Sequence, residues 1–235
     1  WHRVGYVNWG YEAIGRFQNW EQIANYPIDN DRKGNRTVVP GDIMYKDQNN
    51  DGVINYLDER PIGYRVDSTP TLNFGINLSA SWKGFDLAMD WTGSGMTSWN
   101  QCYETARPFQ NDGNSPDEVL KDAWHLSDIW DANSPLIPGK YPMIRLNTDE
   151  TSAYDKSSYW LHNVTYLKLR NLEVGYTFPK TWLNKTGISN LRLFVSGTNL
   201  LTLSNLSVMD PECASDNGLD YPPMRVINIG VNLKF

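Results

Sequence analysis

The chain has 235 residues, 40% of them hydrophobic, with a mean hydropathy of −0.53, a net charge of −6 and a pI near 5.1. No run approaches the roughly 18 consecutive apolar residues of a membrane helix, which excludes helical spanning and leaves strand spanning open, because barrel strands hide their apolar residues by alternation. No basic cluster is present, so nucleic acid is excluded as a partner. Aromatic residues are abundant, with 10 Trp and 13 Tyr, which suits either interfacial girdles or a sugar-stacking surface.

The first element is a strand over 4–17, its phase blurred by two aromatic-glycine pairs. A long polar stretch, 18–70, follows and contains the sharpest motif, DQNNDGVINYLD at 47–58. It matches the calcium loop D-x-[DN]-x-[DN]-G-x5-E at Asp47, Asn49, Asp51 and Gly52, with Asp58 in the last place. Alternate oxygen side chains wrap a hard cation, glycine makes the sharp turn, the Val53 carbonyl fills the seventh place, and Asn55 acts directly or through water. Asp58 in place of Glu shortens the reach of the bidentate ligand. The expected metal set is therefore Asp47, Asn49, Asp51, Val53, Asn55 and Asp58, with Ca2+ as the ion; the competing reading is a metal-free turn, since Asn, Asp and Gly also dominate ordinary loops.

Next comes a hairpin. Leu72, Phe74, Ile76, Leu78, Ala80 and Trp82 alternate with Asn73, Gly75, Asn77, Ser79 and Ser81, and after Lys83-Gly84 the alternation resumes with Phe85, Leu87, Met89 and Trp91. A two-residue connection ending in Gly predicts a tight turn. The second long stretch, 99–158, carries a short helix expected over 123–130, with Trp124 and Trp130 on it. A third strand-rich region at 159–178 changes phase near Arg170-Asn171, which predicts a bulge or a corner. A fourth strand spans 190–203. After a third long stretch, 204–223, the chain closes on a strand at 224–235 that places Ile227, Ile229, Val231, Leu233 and Phe235 on one face and Asn228, Gly230 and Asn232 on the other.

Catalytic signals are absent. His2, His125 and His162 show no zinc-like spacing, and no nucleophile elbow, phosphate loop or dinucleotide fingerprint appears. Asp128, Asp131, Asp149 and Glu150 read as solvated loop residues rather than a glycosidase pair. The chain is therefore not expected to be an enzyme. Cys102 and Cys213 lack metal spacing and read either as unpaired loop cysteines or as a disulfide joining two loops. The sequence starts at Trp1 without a charged and apolar leader, so a leader has been removed or the chain begins inside a longer protein.

Short and long connections alternate strictly. Outer-membrane barrels have short periplasmic turns and longer extracellular loops. Counting back from a periplasmic C-terminus puts both short turns (83–84 and about 179–189) inside and the 18–70, 99–158 and 204–223 loops outside. The expected fold class is all-β: an antiparallel transmembrane β-barrel segment of five or six strands with long extracellular loops. Since single-chain barrels begin at about eight strands, the segment must pair with another polypeptide or belong to a longer barrel.

Several segments in order resemble the SusC/RagA family of TonB-dependent outer-membrane transporters: GYEAIGRFQNWEQIANYP (10–27), GDIMYKDQNNDGVINYLDERPIG (41–63), LNFGINLSASWKGFDLAMDWTG (72–93), AWHLSDIWDANSPLIPGKYPMIRL (123–146), YLKLRNLEVGYTFPKTWLNKTGISNLRLFVSGTNLLTLS (166–204) and the closing strand. The resemblance implies that 1–235 is the C-terminal part of a plugged barrel of the 22-strand class, without the plug domain. It also implies an outer-membrane location in a Gram-negative, Bacteroidetes-like cell. The implied function is nutrient import, of glycans or oligosaccharides first and peptides second. The implied partners are a SusD-like surface lipoprotein, the rest of the barrel and plug, and the TonB complex through N-terminal parts that these residues lack. The alternative is a soluble calcium-binding β-sandwich that binds carbohydrate on Trp and Tyr.

Overall fold

A computed structural model describes residues 7–64, 70–146, 150–184, 187–212, 217–218 and 220–235. The sequence opens on two four-residue strands, β1 (Val7–Gly10) and β2 (Ala13–Arg16), separated by Tyr11 and Glu12. The single strand expected over 4–17 is therefore two, and neither joins the large sheet; residues 4–6 lie outside the described residues. Helix α1 (Trp20–Ala24) starts where the Asn19 side chain accepts the Gln22 N–H at 2.8 Å. Strands β3 (Ile43–Tyr45) and β4 (Arg60–Tyr64) pair antiparallel with β2 and β1 respectively.

Strands β5 (Leu72–Trp82, 11 residues) and β6 (Phe85–Asn100, 16 residues) form the expected hairpin. Trp82 pairs with Phe85 across a turn in which Lys83 (φ 48°) and Gly84 (φ 90°) are both left-handed. That is the primed turn whose twist matches the strands, and it favours glycine at the second place. Helix α2 (Asp117–Lys121) and the two-residue strands β7 (His125–Leu126) and β8 (Leu136–Ile137) follow. The short helix expected over 123–130 is absent: His125 and Leu126 pair with Ile137 and Leu136, and this long-range pairing overrides the helical spacing. Trp124 is buried and Trp130 exposed.

Strand β9 (Leu161–Thr177, 17 residues) leads through α3 (Lys180–Leu183) to β10 (Asn190–Ser204, 15 residues) and finally β11 (Val226–Lys234). The five long strands form one sheet in the order β11-β10-β9-β6-β5. The register shift expected near residue 170 is present: Asn171 faces Thr198 while Leu169 faces Leu201. The extra residue lies in β10, where Asn199 has φ 53°.

The chain divides into two units. One holds the five-stranded sheet (69–97, 164–213 and 221–235); the other gathers 1–68, 98–163 and 214–220. In the sheet unit, Leu72, Phe74, Ile76, Leu78 and Trp82 of β5 are all exposed, as are Ile227, Ile229, Val231 and Leu233 of β11. Charged and polar side chains of neighbouring strands pair across the sheet. Arg192 reaches Glu173 at 2.6 Å and also pairs with Asp86, while Arg170 donates to Thr92 Oγ1 at 3.0 Å. Lys168, 1% exposed, is held by Asp210 and Glu212 at 2.8 Å each.

The second unit has an ordinary core. Ile43, Tyr45, Ile54, Val119 and Tyr141 are buried around Trp160, whose indole N–H donates to the Ala153 carbonyl at 2.8 Å. The rings of Tyr141 and Tyr154 stack on Trp160 with centroids at 6.1 and 5.6 Å, and Tyr159 meets it edge-on at 4.8 Å. The 18–70 and 99–158 stretches, read from sequence as long loops, supply most of this core.

Candidate cation site in the 47–58 loop

Both ends of the loop are anchored by burial. Ile43 and Tyr45 precede it with no exposed surface, and Ile54 inside it is equally buried. Asp29 stitches the far side: its N–H donates to the Gly52 carbonyl at 2.8 Å, and its carbonyl accepts the Ile54 N–H at 3.0 Å. Between these anchors the chain must turn sharply, and Gly52, at φ 83°, makes that turn.

The turn gathers three carboxylates. Asp47, Asp51 and Asp58 each offer an oxygen, and these lie within 4.8 Å of one another. Oxygens bound at 2.3–2.6 Å to one Ca2+ stand at most about 5 Å apart, so the spacing fits a shared hard cation. Asp58, fully buried, accepts the Gln48 N–H and the Asn55 N–H at 2.8 Å each. Asp47 accepts N–H groups from Asn50 (2.7 Å) and Gly52 (2.8 Å). Asp51 accepts the Val53 N–H at 2.9 Å and the Asn49 amide at 2.8 Å. The Val53 N–H and then Asn49 hold the Asp51 carboxyl below its usual range. Each of these oxygens keeps a lone pair for a metal, so the donor set fits calcium.

The remaining three expected ligands each accept one hydrogen bond within the loop. Asn55 Oδ1 caps the following turn by accepting the Leu57 N–H at 2.9 Å, while its amide donates to the Val53 carbonyl at 3.2 Å. Asn49 Oδ1 accepts the Asp51 N–H at 3.0 Å. The structure brings together the carboxylates of Asp47, Asp51 and Asp58, and Asn49, Val53 and Asn55 hydrogen-bond within the same loop.

The other chemistry-bearing residues are engaged structurally. His125 Nδ1 lies 2.9 Å from the Ala123 carbonyl; His162 Nε2 lies 3.0 Å from Gln101 Oε1 and stacks on Trp99 at 5.5 Å. Asp128 and Asp131 cap their own turns by accepting the N–H groups of Trp130 and Asn133 at 2.9 Å. His2, Asp149 and Cys213 lie outside the described residues. Sequence reasoning missed the ion pairs that join distant segments, such as Arg32 with Asp155 at 2.6 Å and Arg145 with buried Asp42. No periodicity marks such pairs. Around Asp42, burial pushes the carboxyl up from its usual value and Arg145 opposes the rise.

No family model matches the chain. Among curated proteins it is 30% identical over 95% of its length to TonB-dependent receptor P3 of Formosa agariphila, of which it covers 22%. It is 24% identical over its full length to TonB-dependent receptor SusC of Bacteroides thetaiotaomicron, covering 20%. Among solved structures, the RagAB peptide transporter superposes on 97% of the chain with a TM-score of 0.62 at 22% identity. The same importer in its closed-closed state gives 0.63 at 21%. Likeness at that identity establishes the fold, part of a SusC/RagA-like barrel wall. The chain spans about a fifth of the length of the curated relatives it matches. Sequence relatives and fold agree: over nearly its whole length the chain is similar to a segment of SusC-like TonB-dependent receptors.

Proposed function

We propose that the chain forms part of the wall and outer rim of an outer-membrane nutrient importer of a Bacteroidetes-like cell, with oligosaccharide as cargo. The observation that carries this reading is the exposed apolar face of the five-stranded sheet, together with single-neighbour edges at β5 and β11. Apolar side chains at this density favour lipid, and open edges within lipid must be paired, at a cost of several kcal/mol per unsatisfied group otherwise. The polar face that carries Arg192, Glu173 and Asp86 then lines a plugged lumen. In this reading the loop unit meets a SusD-like lipoprotein and the ligand, energy comes from TonB through other parts of the protein, and the segment performs no covalent chemistry. The carboxylates of Asp47, Asp51 and Asp58 hold Ca2+, which outside the cell is abundant enough for a weak site.

The soluble sandwich reading is not favoured, because it needs the faces of Leu78 and Ile229 covered by a second sheet, and both are exposed. The test is genetic and biochemical. The protein should sediment with detergent-dependent outer membranes, and its loss should abolish growth on one class of oligosaccharide while growth on the monosaccharide persists. Recovery in a detergent-free soluble fraction would sink the reading. Loss of growth on a protein hydrolysate instead would make the cargo peptide, the cargo that the RagAB structures' descriptions assign to that protein.

A further inference from the structure

The third long stretch turns back on the sheet where β10 ends. Ser204, the last residue of β10, faces Tyr166 of β9. Asn205 then makes a two-way contact with Thr165: its N–H donates to the Thr165 carbonyl at 3.3 Å, and its Oδ1 accepts the Thr165 N–H at 2.9 Å. From there the chain runs back along β9. Asp210 and Glu212 reach Lys168, and Glu212 also pairs with Arg170. The distance along β9 from Tyr166 to Arg170 is about 13 Å, at about 3.3 Å per residue. Residues 205–212 therefore form a strap folded back over the strand.

The strap lies on the polar face. Arg170 donates to Thr92 Oγ1 at 3.0 Å and to Asn199 Oδ1 at 3.3 Å. Thr92 shares its parity in β6 with Asp86 and Asp90, opposite that of Met89 and Trp91. Lys168, two residues from Arg170, is 1% exposed. Its ammonium has three N–H donors, and these go to both Asp210 oxygens and to Glu212 Oε2 at 2.8 Å each. The Tyr166 hydroxyl also engages Glu212.

Charge, more than apolar burial, holds the strap down. Of residues 205–212 only Leu206 is buried. Lys168 and Arg170 balance Asp210 and Glu212, so the latch carries no net formal charge. Buried ion pairs stabilise no better than apolar side chains of the same volume. They do differ on release: once the strap lifts, water solvates all four charged groups, whereas an apolar pin would expose surface that water disfavours. A segment fastened in this way is suited to opening.

We propose that residues 205–212 are a releasable constriction of the lumen, latched to β9 through Lys168 and Arg170. The inference rests on the importer reading for the lumen, an interior that loops can plug in this class of barrel, and on the ion pairs alone for the latch. The test uses the full-length transporter. In detergent, Lys168→Met should speed hydrogen exchange across 205–212 at least about tenfold, the scale of one lost hydrogen bond to a charged group, with β11 unchanged. Lys168→Arg should keep exchange slow. The pair Asp210→Asn with Glu212→Gln, which alters only the strap, gives the same reading where Lys168→Met does not assemble. In outer membranes, Asp90→Cys places a thiol on the polar face one pair deeper than Thr92. Releasing the latch should speed its labelling by a maleimide carried on bulky polyethylene glycol and leave labelling by N-ethylmaleimide unchanged, with the labelled site identified by mass spectrometry. Unchanged exchange at 205–212 in the variants overturns the latch. Faster exchange with equal labelling by the bulky reagent overturns the constriction and leaves import standing. Recovery of the protein in a detergent-free soluble fraction sinks the importer reading, and the constriction with it, by a separate observation.

Discussion

Ile43 and Ile54 of the loop unit have no exposed surface, whereas Ile227 and Ile229 of the sheet unit are 67% and 83% exposed. Each such side chain gains about 1.5–3 kcal/mol when fully removed from water, so the loop unit has collected that stabilisation from its own residues and the sheet has not. Buried charge occurs in both: Asp42 and Asp58 in the loop unit are wholly buried and paired, and in the sheet unit Lys168 is buried against Asp210 and Glu212. The difference teaches that one unit folds against itself as a soluble domain does, and that the other is completed by an apolar medium.

The largest expected effect separates the two modes directly. Trp160→Ala removes the ring on which Tyr141, Tyr154 and Tyr159 converge, and Trp→Ala in a core costs about 3–5 kcal/mol. Hydrogen exchange should accelerate at 43–45 and 153–160 by that amount, with the amides of β10 and β11 unchanged. Equal acceleration in both regions would mean that the units unfold as one.

Leu78→Arg tests the other side. In a lipid-facing strand a charge near the midplane costs about 2–4 kcal/mol, whereas on a water-facing strand it costs almost nothing. Denaturant titration of the assembled protein in lipid vesicles distinguishes these outcomes, and an unchanged midpoint would mean that the apolar parity does not face lipid.

The acid limb of stability belongs to the loop unit. Burial pushes the Asp31 carboxyl up, but donors from Thr37, Lys33 and Asn35 outweigh it and hold it at about 2. A depressed carboxyl contributes stability that is full above its ordinary value near 4 and disappears as pH falls through 2. Asp42 and Asp155, raised mainly by burial, act with the opposite sign. Asp31→Asn should therefore flatten the loss of loop-unit protection between pH 4 and 2 by on the order of 1–2 kcal/mol, read by proteolysis of the segment around 28–42. An unaltered pH profile would show that Asp31 does not carry the acid limb.

The same contrast explains what could be read from sequence. A strand alternates within itself, so β5, β6, β10 and β11 were legible residue by residue, and Lys83-Gly84 announced its own turn. The carboxylates of Asp47, Asp51 and Asp58 were legible because a cation loop is contiguous and its spacing is local. The loop unit hid its order because its contacts are not local. β1 pairs with β4 some fifty residues on, and Trp124 donates its N–H to Tyr141 at 2.9 Å instead of continuing a helix. The ion pair of Arg32 with Asp155 was invisible for the same reason, as those residues share no period.

The smallest expected effect concerns the loop on which local spacing and long-range burial meet. Calcium at about ten times its dissociation constant should stabilise the bound form by about 1.4 kcal/mol. That stabilisation should appear as slower exchange at 47–58 and vanish on adding a chelator. Asp51 is the informative position, since Asp58 also caps the following turn and its loss would disturb the fold with or without metal. Asp51 is exposed and accepts only local donors, so Asp51→Asn should leave metal-free exchange nearly unaltered and remove the calcium increment. An increment that survives in Asp51→Asn would place the ion elsewhere and leave the three carboxylates as a turn stabilised by its own amides.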